Sequence, residues 1–382
     1  MKVSKLKDCC TIIAGQSPES KYYNSNGDGL PFFQGKADFG ELYPSIRVYC
    51  SQPTKIAEKD DILLSVRAPV GPTNLAPCKV CIGRGLTAIR PSEVLLTRYV
   101  LLFFRYFEAQ LASKGTGTTF KAITQDVVKN LEIPIPPLPE QERIVARIEE
   151  LFSQLDAGVE TLKKTKAQLA VYRQAVLKEA FSCCAEKKPI REMSSIVTSG
   201  SRGWAKYYCD NGAKFIRIGN LTRNKIYIDL DDIQHVQLPD KAEGTRTKLA
   251  PNDVLVSITA DLGSIGLVPN GIGEAYVNQH IAMIRFNNQM QGEFYAWYLR
   301  SEYGQQDLLR NKRGGGKLGL GLDDIRDSRV PVVSNETAES ILSIIECRLS
   351  VCDSIEHTVD LALQQAEAMR QSILKDAFEG RL

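Results

Sequence analysis

The sequence has 382 residues, which is too long for one ordinary domain, since a domain usually holds about 100–200 residues. Hydrophobic residues make up 43% and charged residues 24%, a composition that excludes a disordered or fibrous chain. The net charge of +3 is much weaker than the overall basicity of many nucleic-acid binders, so global charge does not decide the function.

No apolar run is long enough to span a membrane, and the first eight residues lack the apolar core of a signal peptide. We therefore expect a cytoplasmic protein without a membrane partner. Of the ten cysteines, Cys9 and Cys10 are adjacent, as are Cys183 and Cys184, and the others are scattered. This pattern indicates reduced thiols and not a disulfide framework.

The chain contains an internal repeat. Residues 172–181 match residues 369–378 at a shift of 197 positions, from Arg173 to Arg370. Upstream, the segment DILLSV at 61–66 resembles DVLVSI at 253–258, and TAIR at 87–90 resembles AMIR at 282–285. Each half of the chain is therefore predicted to be a variable globular head followed by a similar helix.

The heads are predicted to be mostly β-strand with a few helices, an α+β fold. Short β-branched and aromatic runs alternate with Gly, Pro, Asn and Asp. The predicted strands include 62–66, 215–218, 226–228 and 254–258. The predicted helices of the heads are 98–112 and 292–309, which lack internal proline.

A long helix is predicted after each head. The proline-rich segment 134–139 is a non-helical lead-in, and the chain then runs without proline from 140 past 181. Apolar residues follow a heptad pattern in both copies, which predicts an antiparallel coiled coil within one chain. The predicted seam contains Ile144, Ile148, Leu151, Leu155, Leu162 and Leu169 in the first helix, and Ile341, Ile345, Ile355, Val359 and Ile373 in the second.

The helix motifs resemble a known family. Residues 136–144, PPLPEQERI, lead into a helix that ends with LKEAF at 177–181, and the chain ends with LKDAFEGRL at 374–382. These segments resemble the central and distal conserved regions of the DNA-specificity subunits of Type I restriction-modification systems. Two departures are Ser182-Cys183-Cys184, where the family often has glycine, and a second lead-in reduced to 330–334.

The resemblance implies two target-recognition domains, 1–139 and 185–333, which each read one half of a bipartite double-stranded DNA site. It also implies that the helices, 140–184 and 334–382, dock two methyltransferase (modification) subunits and fix the spacing of the half-sites. It further implies that restriction subunits join through the complex and that the partner subunits bind S-adenosylmethionine, ATP and Mg. We therefore expect this chain to have neither a cofactor nor catalytic residues.

Loops that combine glycine with basic or amide side chains are the candidate DNA contacts, because such loops can approach phosphates and base edges. The first head offers Gln16, Lys21, Gln34, Lys36, Arg67, Arg84, Lys114, Thr116 and Lys121. The second offers Arg202, Trp204, Arg217, Asn220, Arg223, Asn278, Gln279, Lys312, Arg313 and Lys317. The alternative for any one of them is an ordinary turn with a solvated charge.

The sequence gives little support for a metal site, a nucleotide-binding loop or an acid-base catalytic site. Cys78 and Cys81 form a lone CxxC without a second pair or a nearby histidine, so we expect no metal site. Gly316-Lys317 is followed by Leu318 where a P-loop requires Ser or Thr. The three histidines, His235, His280 and His357, are too separated to indicate acid-base catalysis.

Two other functions stay open at this point. One is an enzyme that combines DNA recognition with cleavage or methylation, although the chain lacks a cofactor loop. The other is a coiled-coil scaffold whose heads bind proteins, because a heptad pattern specifies helix pairing and nothing about the heads. Tight binding of S-adenosylmethionine would favour the enzyme, and a steep fall of DNA affinity with salt would argue against the scaffold.

Overall fold

A computed structural model describes residues 3–115, 122–200, 202–223, 225–239, 245–310 and 319–382. The chain divides into two compact units. Unit 1 comprises Met1–Lys163 with Asp360–Leu382, and unit 2 comprises Lys164–Val359. Each unit therefore combines one head with a part of both long helices.

The elements of unit 1 alternate short strands with few helices. The strands are β1 (Val3–Lys5), β2 (Cys10–Ala14), β3 (Tyr23–Asn24), β4 (Leu30–Phe33), β5 (Tyr49–Cys50), β6 (Ile56–Ala57), β7 (Ile62–Ser65), β8 (Thr73–Leu75), β9 (Val80–Ile82), β10 (Leu86–Pro91) and β11 (Glu132–Pro134). The helices are α1 (Leu6–Cys9), α2 (Thr97–Ser113), α3 (Gln125–Lys129) and the first part of α4 (Leu138–Phe181).

The strands of unit 1 form three sheets. The central sheet has the order β2-β10-β7-β8 and is antiparallel, with Ile89 of β10 paired to both Ile12 and Ile62. A second sheet has the order β3-β5-β4-β9-β6 and contains the parallel pair β4 and β9. β1 and β11 form a separate pair that joins the beginning of the head to its end.

The central sheet of unit 1 is buried on both faces. Alternate side chains of a strand point to opposite faces. Ile62 and Leu64 accordingly pack with α2 and the long helices, whereas Leu63 packs with Phe33 and the second sheet. This is why residues 62–65 form a continuous apolar run with no polar alternation.

Unit 2 repeats this arrangement. Its strands are β12 (Lys187–Pro189), β13 (Ser194–Ser199), β14 (Tyr208–Cys209), β15 (Ala213–Ile216), β16 (Gln234–Val236), β17 (Val254–Ser257), β18 (Ile265–Leu267), β19 (Ala275–Val277), β20 (Ile281–Phe286) and β21 (Arg329–Pro331). Its helices are α5 (Ile190–Met193), α6 (Gly292–Arg300), α7 (Glu302–Leu309), α8 (Leu322–Asp327) and the adjoining parts of α4 and α9 (Asn335–Phe378).

The sheets of unit 2 match those of unit 1 strand for strand in the centre. The order β13-β20-β17-β18 corresponds to β2-β10-β7-β8, and β12 pairs with β21 as β1 pairs with β11. The third sheet, β14-β16-β15-β19, again contains one parallel pair, β15 with β19. Val254 and Val256 face the helices and Leu255 faces the third sheet, the same alternation as in β7.

The long helices α4 and α9 run antiparallel within unit 2. Arg173 of α4 is bound to Asp353 and Glu356 of α9, whereas Glu179, further along α4, is bound to the earlier residue Arg348. Neither these 44-residue helices nor any shorter helix in the described ranges carries an apolar stretch sufficient to cross a lipid bilayer.

Most of the predicted elements are present, with three differences. The first long helix begins at Leu138, so Leu138 and Pro139, which were predicted to belong to a non-helical lead-in, form its first residues. The predicted helix 292–309 is interrupted at Ser301, which has an extended ψ of 163° and caps α7 by accepting a hydrogen bond from the Gly304 amide. Residues 226–228 form no strand, and Tyr227 makes only an isolated bridge to Leu267. Ile226 and Ile228 are nevertheless buried, which explains their apolar character.

Candidate nucleic-acid interface

Four loops of unit 1 converge beyond the ends of β2, β4, β7 and β9. The Gly83 amide donates to the carbonyl of Phe33 at 2.8 Å, and the Val66 amide donates to the carbonyl of Gly85 at 3.0 Å. The Gln16 amide donates to the carbonyl of Ile82 at 3.0 Å. Backbone hydrogen bonds thus hold all four loops in one place.

Glycine is required where these loops touch. A Cβ on Gly15 would collide with the carbonyl oxygen of Gly83, and one on Gly85 would collide with the carbonyl oxygen of Gln34. Because the obstructing atoms are backbone atoms, no rotamer change would relieve the contact. Loop packing therefore explains Gly15 and Gly85, whatever the loops bind.

The converging loops present exposed polar side chains. Gln16, Gln34, Arg67 and Arg84 are all exposed, and we refer to these four residues as surface 1. The Arg84 backbone amide donates to the Ser17 hydroxyl at 3.2 Å, which fixes the turn. The guanidinium of Arg84 takes no part in this bond. Surface 1 combines two cations with two amides, a combination that can contact both phosphates and base edges.

Unit 2 holds its loops by equivalent backbone bonds. The Asn278 amide donates to the carbonyl of Ile216 at 3.0 Å, and the Ile258 amide donates to the carbonyl of His280 at 2.9 Å. A Cβ on Gly200 would collide with the carbonyl of Val277, as at Gly15. The loop ends of the two units are thus built alike, although their side chains differ.

We refer to Arg202, Arg217 and Gln279 as surface 2. Arg202 is exposed, and Arg217 lies 3.8 Å from the fully exposed Asp232. The Gln279 amide nitrogen is 2.9 Å from His280 Nε2, and His280 Nδ1 is 2.7 Å from the Thr259 hydroxyl. The imidazole therefore ties two of the loops together.

Three predicted contacts lie in the interior of unit 2. Trp204 is 4% exposed and stacks on Phe215 with ring centroids 5.4 Å apart. Both polar atoms of the Asn220 side chain are hydrogen-bonded within the protein. Its oxygen accepts from the Arg217 amide, and its nitrogen donates to the carbonyls of Asp229 and Asp232. Asn278 is 9% exposed. Burial removes all three from the set that we propose to contact DNA.

Four other predicted DNA contacts are exposed but are not members of surface 1 or surface 2, and each has a neighbour within the protein. Lys21 is bound to Glu19 at 2.6 Å, and Arg223 to Asp261 at 2.5 Å. Lys114 Nζ lies 5.3 Å from the centroid of the Phe107 ring. Lys36 lines a cavity with Glu108.

Five predicted contacts fall outside the described residues, and the structure says nothing about them. They are Thr116, Lys121, Lys312, Arg313 and Lys317. The first described residue after each of the two segments pairs with a loop of its surface. Ala122 bridges to Arg67 in unit 1, and Gly319 bridges to Thr259 in unit 2.

The predicted seam residues are mostly covered. In unit 1, Ile144 and Ile148 are buried, and Leu151, Leu155, Leu162 and Ile373 are partly buried. In unit 2, Leu169, Ile341, Ile345 and Val359 are buried.

Ile355 differs from the prediction, because it is 40% exposed. The neighbouring Glu356 is the residue that faces α4, where it binds Arg173 at 2.9 Å and approaches Lys166 at 3.6 Å.

The long helices also expose apolar side chains. Val171 is 71% exposed, Val351 56% and Met369 55%, and Tyr172 and Ile344 are nearly half exposed. Contiguous patches of exposed apolar side chains mark surfaces that bind other proteins.

Two ion pairs, each with a buried aspartate, are not predicted from the sequence. Asp61, which is 2% exposed, accepts two hydrogen bonds from Arg90, at 2.7 and 2.8 Å. Asp253, which is fully buried, accepts two from Arg285, at 2.6 and 2.8 Å. The signal was present, because both aspartates and both arginines occur in the repeated segments. What the repeat did not reveal is that the aspartate of one segment binds the arginine of the other.

No group of three or more His, Cys, Asp or Glu residues suited to a metal ion occurs in the described ranges. Burial raises the pKa of the Cys81 thiol of the CxxC segment, which disfavours the thiolate that a zinc ion requires.

A family model described as the Type I restriction modification DNA specificity domain matches residues 1–170 and again residues 186–365. A Methanocaldococcus jannaschii protein named as a type I restriction enzyme MjaX specificity subunit is 40% identical over 167 residues. The match covers 44% of this chain and 38% of that protein, so the chain spans well under half of that relative's length. The Escherichia coli type I restriction enzyme EcoBI specificity subunit is 24% identical, over 76% of this chain and 67% of its own.

Among solved structures, the HsdS subunit from Thermoanaerobacter tengcongensis is 48% identical over 41% of this chain and 38% of that chain, with a TM-score of 0.39. A chain from a structure of the assembly and conformational transition of the type I R-M system is 47% identical over 44% of this chain and 42% of its own, with a TM-score of 0.42. The family model thus matches the chain twice, once mainly in unit 1 and once mainly in unit 2.

Proposed function

The chain belongs to the family of Type I restriction-modification DNA-specificity proteins, and from this premise we propose that it is the sequence-reading subunit of such a complex. In this proposal each head binds one half of a bipartite site on double-stranded DNA. Residues 1–139 and 185–333 are the two target-recognition domains, and 140–184 and 334–382 are the helices that connect them.

The observation that carries this proposal is the duplication of one loop arrangement with different side chains. The same backbone bonds, Gly83 to Phe33 and Asn278 to Ile216, hold the loops in both units. The exposed side chains that they carry are not the same in surface 1 and surface 2. Two equivalent supports with unlike polar surfaces suit a protein that reads two different half-sites.

Within surface 1, we propose that Arg84 and Arg67 bind phosphates or guanine edges and that Gln16 and Gln34 bind adenine edges. Arg202, Arg217 and Gln279 take these roles in surface 2. Thr116, Lys121, Lys312, Arg313 and Lys317, which lie outside the described residues, are proposed as further DNA contacts on the basis of the sequence alone. Lys21, Lys36, Lys114 and Arg223 are proposed as peripheral contacts that neutralise the DNA backbone.

We propose that the long helices dock two modification subunits. The exposed apolar residues Val171, Tyr172, Val351 and Met369 lie on these helices, and the repeat places Tyr172 and Met369 at equivalent positions. An apolar position that recurs on both helices suits the docking of two copies of one partner. The same helices, paired as an antiparallel coiled coil, set the spacing of the half-sites, and restriction subunits join through the modification subunits.

In this proposal the chain is not an enzyme. S-adenosylmethionine, ATP and Mg belong to the partner subunits, and the complex works in the cytoplasm. The test is to express the chain with its modification partner and to sequence the methylated bases. One bipartite methylated motif is expected, which disappears when either protein is absent.

Exchange of residues 1–139 for the corresponding head of a relative should change one half of that motif and leave the other half intact. If both halves changed together, the two heads would have to read DNA as one surface. Methylation by the chain alone would contradict the division of labour between the subunits.

A further inference from the structure

Unit 2 contains a cavity of about 320 Å³ where α6 meets the long helices. Four cationic side chains line it, namely Lys166, Arg173, Arg223 and Arg300, and Glu356 lines it with them. The Glu356 carboxylate is already bound by Arg173 at 2.9 Å and approached by Lys166 at 3.6 Å. Arg223 is bound to Asp261 at 2.5 Å.

Of these four cations, Arg300 is the one that is bound by no carboxylate in the described part of unit 2. Its Nη1 donates to the carbonyl of Lys225 at 2.7 Å, and its guanidinium lies 5.7 Å from the centroid of the Trp297 indole. In the part of unit 2 that the structure describes, no carboxylate is within 4 Å of its nitrogens. Burial, and then the charges of Arg173 and Arg223, lower the pKa of Arg300 to about 10.

Unit 1 contains the counterpart of this site. Arg105 of α2 donates to the carbonyl of Glu41 at 2.8 Å, as Arg300 does to that of Lys225. Arg105 lines a cavity of about 270 Å³ together with Arg370, the repeat equivalent of Arg173. This cavity also contains two carboxylates, those of Glu108 and Glu367.

Both carboxylates are replaced by neutral residues in unit 2. The shift that places Arg370 on Arg173 places Glu367 on Ala170, which lines the cavity beside Arg300. Glu108 packs against Gly71, and the residue that packs against the equivalent Gly263 is Gln305. The equivalence of the glycines is fixed by their bonds, since Gly71 donates to Ser65 and Gly263 donates to Ser257, both at 3.0 Å.

The cavity of unit 2 has therefore kept its arginines and lacks the counterparts of Glu108 and Glu367. Its own carboxylate, Glu356, is already bound by Arg173, and Glu302, which lies near Arg300, is bound by Lys178. A partly buried guanidinium without a counter-charge is unfavourable, and its planar donors fit the oxygens of a phosphate group. We propose that the cavity beside Arg300 binds a phosphate-class oxyanion, which supplies the negative charge that Glu108 and Glu367 supply in unit 1. The small side chain of Ala170 provides the room.

The test is calorimetric titration of the full chain with inorganic pyrophosphate at constant ionic strength. One site is expected in the wild-type chain. Arg300→Gln should abolish binding. Ala170→Glu, which restores the carboxylate found in unit 1, should also abolish it and should fold, because it removes no existing interaction of the chain and adds a counter-charge.

Arg105→Gln is the matched control in unit 1 and should leave pyrophosphate binding unchanged. Absence of binding to the wild-type chain, or unchanged binding to both unit 2 variants, would overturn the proposal. A repeat titration in the presence of duplex DNA identifies the source of the phosphate. Competition by DNA assigns the site to a backbone phosphate, and undiminished binding assigns it to a free phosphorylated compound.

Discussion

Arg173 donates a hydrogen bond to Asp353 at 2.6 Å, and the residues that the repeat makes equivalent to them, Arg370 and Asp156, form the same ion pair in unit 1. The arginine comes from α4 in one pair and from α9 in the other. Each unit therefore joins the two long helices by one arginine and one aspartate, with the donor and acceptor helices exchanged. This reciprocity is the signature of a pseudo-twofold repeat within one chain.

The pair in unit 2 should contribute modestly to stability. Arg173→Leu removes bonds to both Asp353 and Glu356, and since Asp353 is largely exposed we expect a loss of about 1 kcal/mol in the free energy of unfolding. Chemical denaturation measures it. The matched variant in unit 1 is Arg370→Leu, which also removes the contact with the Phe152 ring. A double-mutant cycle with Asp353→Asn should show coupling for Arg173 and none for Arg370.

The ion pairs of the two buried aspartates should contribute more to stability. Arg90→Met leaves the buried Asp61 without its partner, and we expect the free energy of unfolding to fall by about 3–5 kcal/mol. The equivalent change in unit 2 is Arg285→Met at Asp253, with a similar expected loss. As a control, Arg191→Met breaks a pair with Asp327 in which both side chains are half exposed, and it should cost less than about 1 kcal/mol. Equal losses in all three variants would contradict this ranking.

The repeat and the heptad pattern predicted the fold well because they depend on burial. Ile148 and Ile345 are related by the repeat and both are fully buried. Head residues were harder to predict, since Trp204 in a glycine-rich loop suits base stacking as well as a core. Only the tertiary contact with Phe215 shows that it is core. The proposed anion site at Arg300 could not be predicted from the neighbouring sequence. The charge around Arg300 depends on residues 170 and 305, and residue 170 comes near it only when the chain folds.

Glu108 should make stability depend on pH. Burial raises the pKa of its carboxyl, and the charges of Lys36 and Arg105 oppose this only in part. The folded state therefore holds the proton more tightly than the unfolded state, so ionisation of Glu108 costs stability as the pH rises above its unfolded pKa. Glu108→Gln removes this cost, and the residue that packs at the same place in unit 2 is Gln305.

The expected result is that Glu108→Gln raises the free energy of unfolding at pH 7 and that the gain shrinks towards pH 4, where the wild-type carboxyl is mostly protonated in both states. Urea titrations from pH 4 to pH 7 measure it. Glu93→Gln, at an exposed position, serves as the control and should show no such trend. A gain that grows as the pH falls would have the wrong sign.

Surface 1 should bind DNA through its cations. In the complex with the modification partner, Arg84→Ala should weaken binding of the methylated motif, by about 1–3 kcal/mol if the side chain contacts a base. Loss of a phosphate contact would instead lower the slope of log affinity against log salt by about one unit. Lys79→Ala is the control, since Lys79 is exposed at the opposite end of β9 and pairs with Glu58. Equal effects of both variants would argue against surface 1.

The long helices should act as a ruler. Seven residues inserted into α4 after Lys163 and seven into α9 after Val359 leave the described contacts within each unit intact, because these are the points at which the units divide. One heptad preserves the apolar repeat and adds about 10 Å of helical rise, or roughly three base pairs along the DNA axis. The unspecified gap in the methylated motif should lengthen by about this amount while both half-sites stay the same.

Insertion of four residues at the same points rotates the apolar stripe and should reduce methylation instead. Methylated-base sequencing of each variant measures the gap, and an unchanged gap in an active heptad variant would show that something other than these helices sets the spacing.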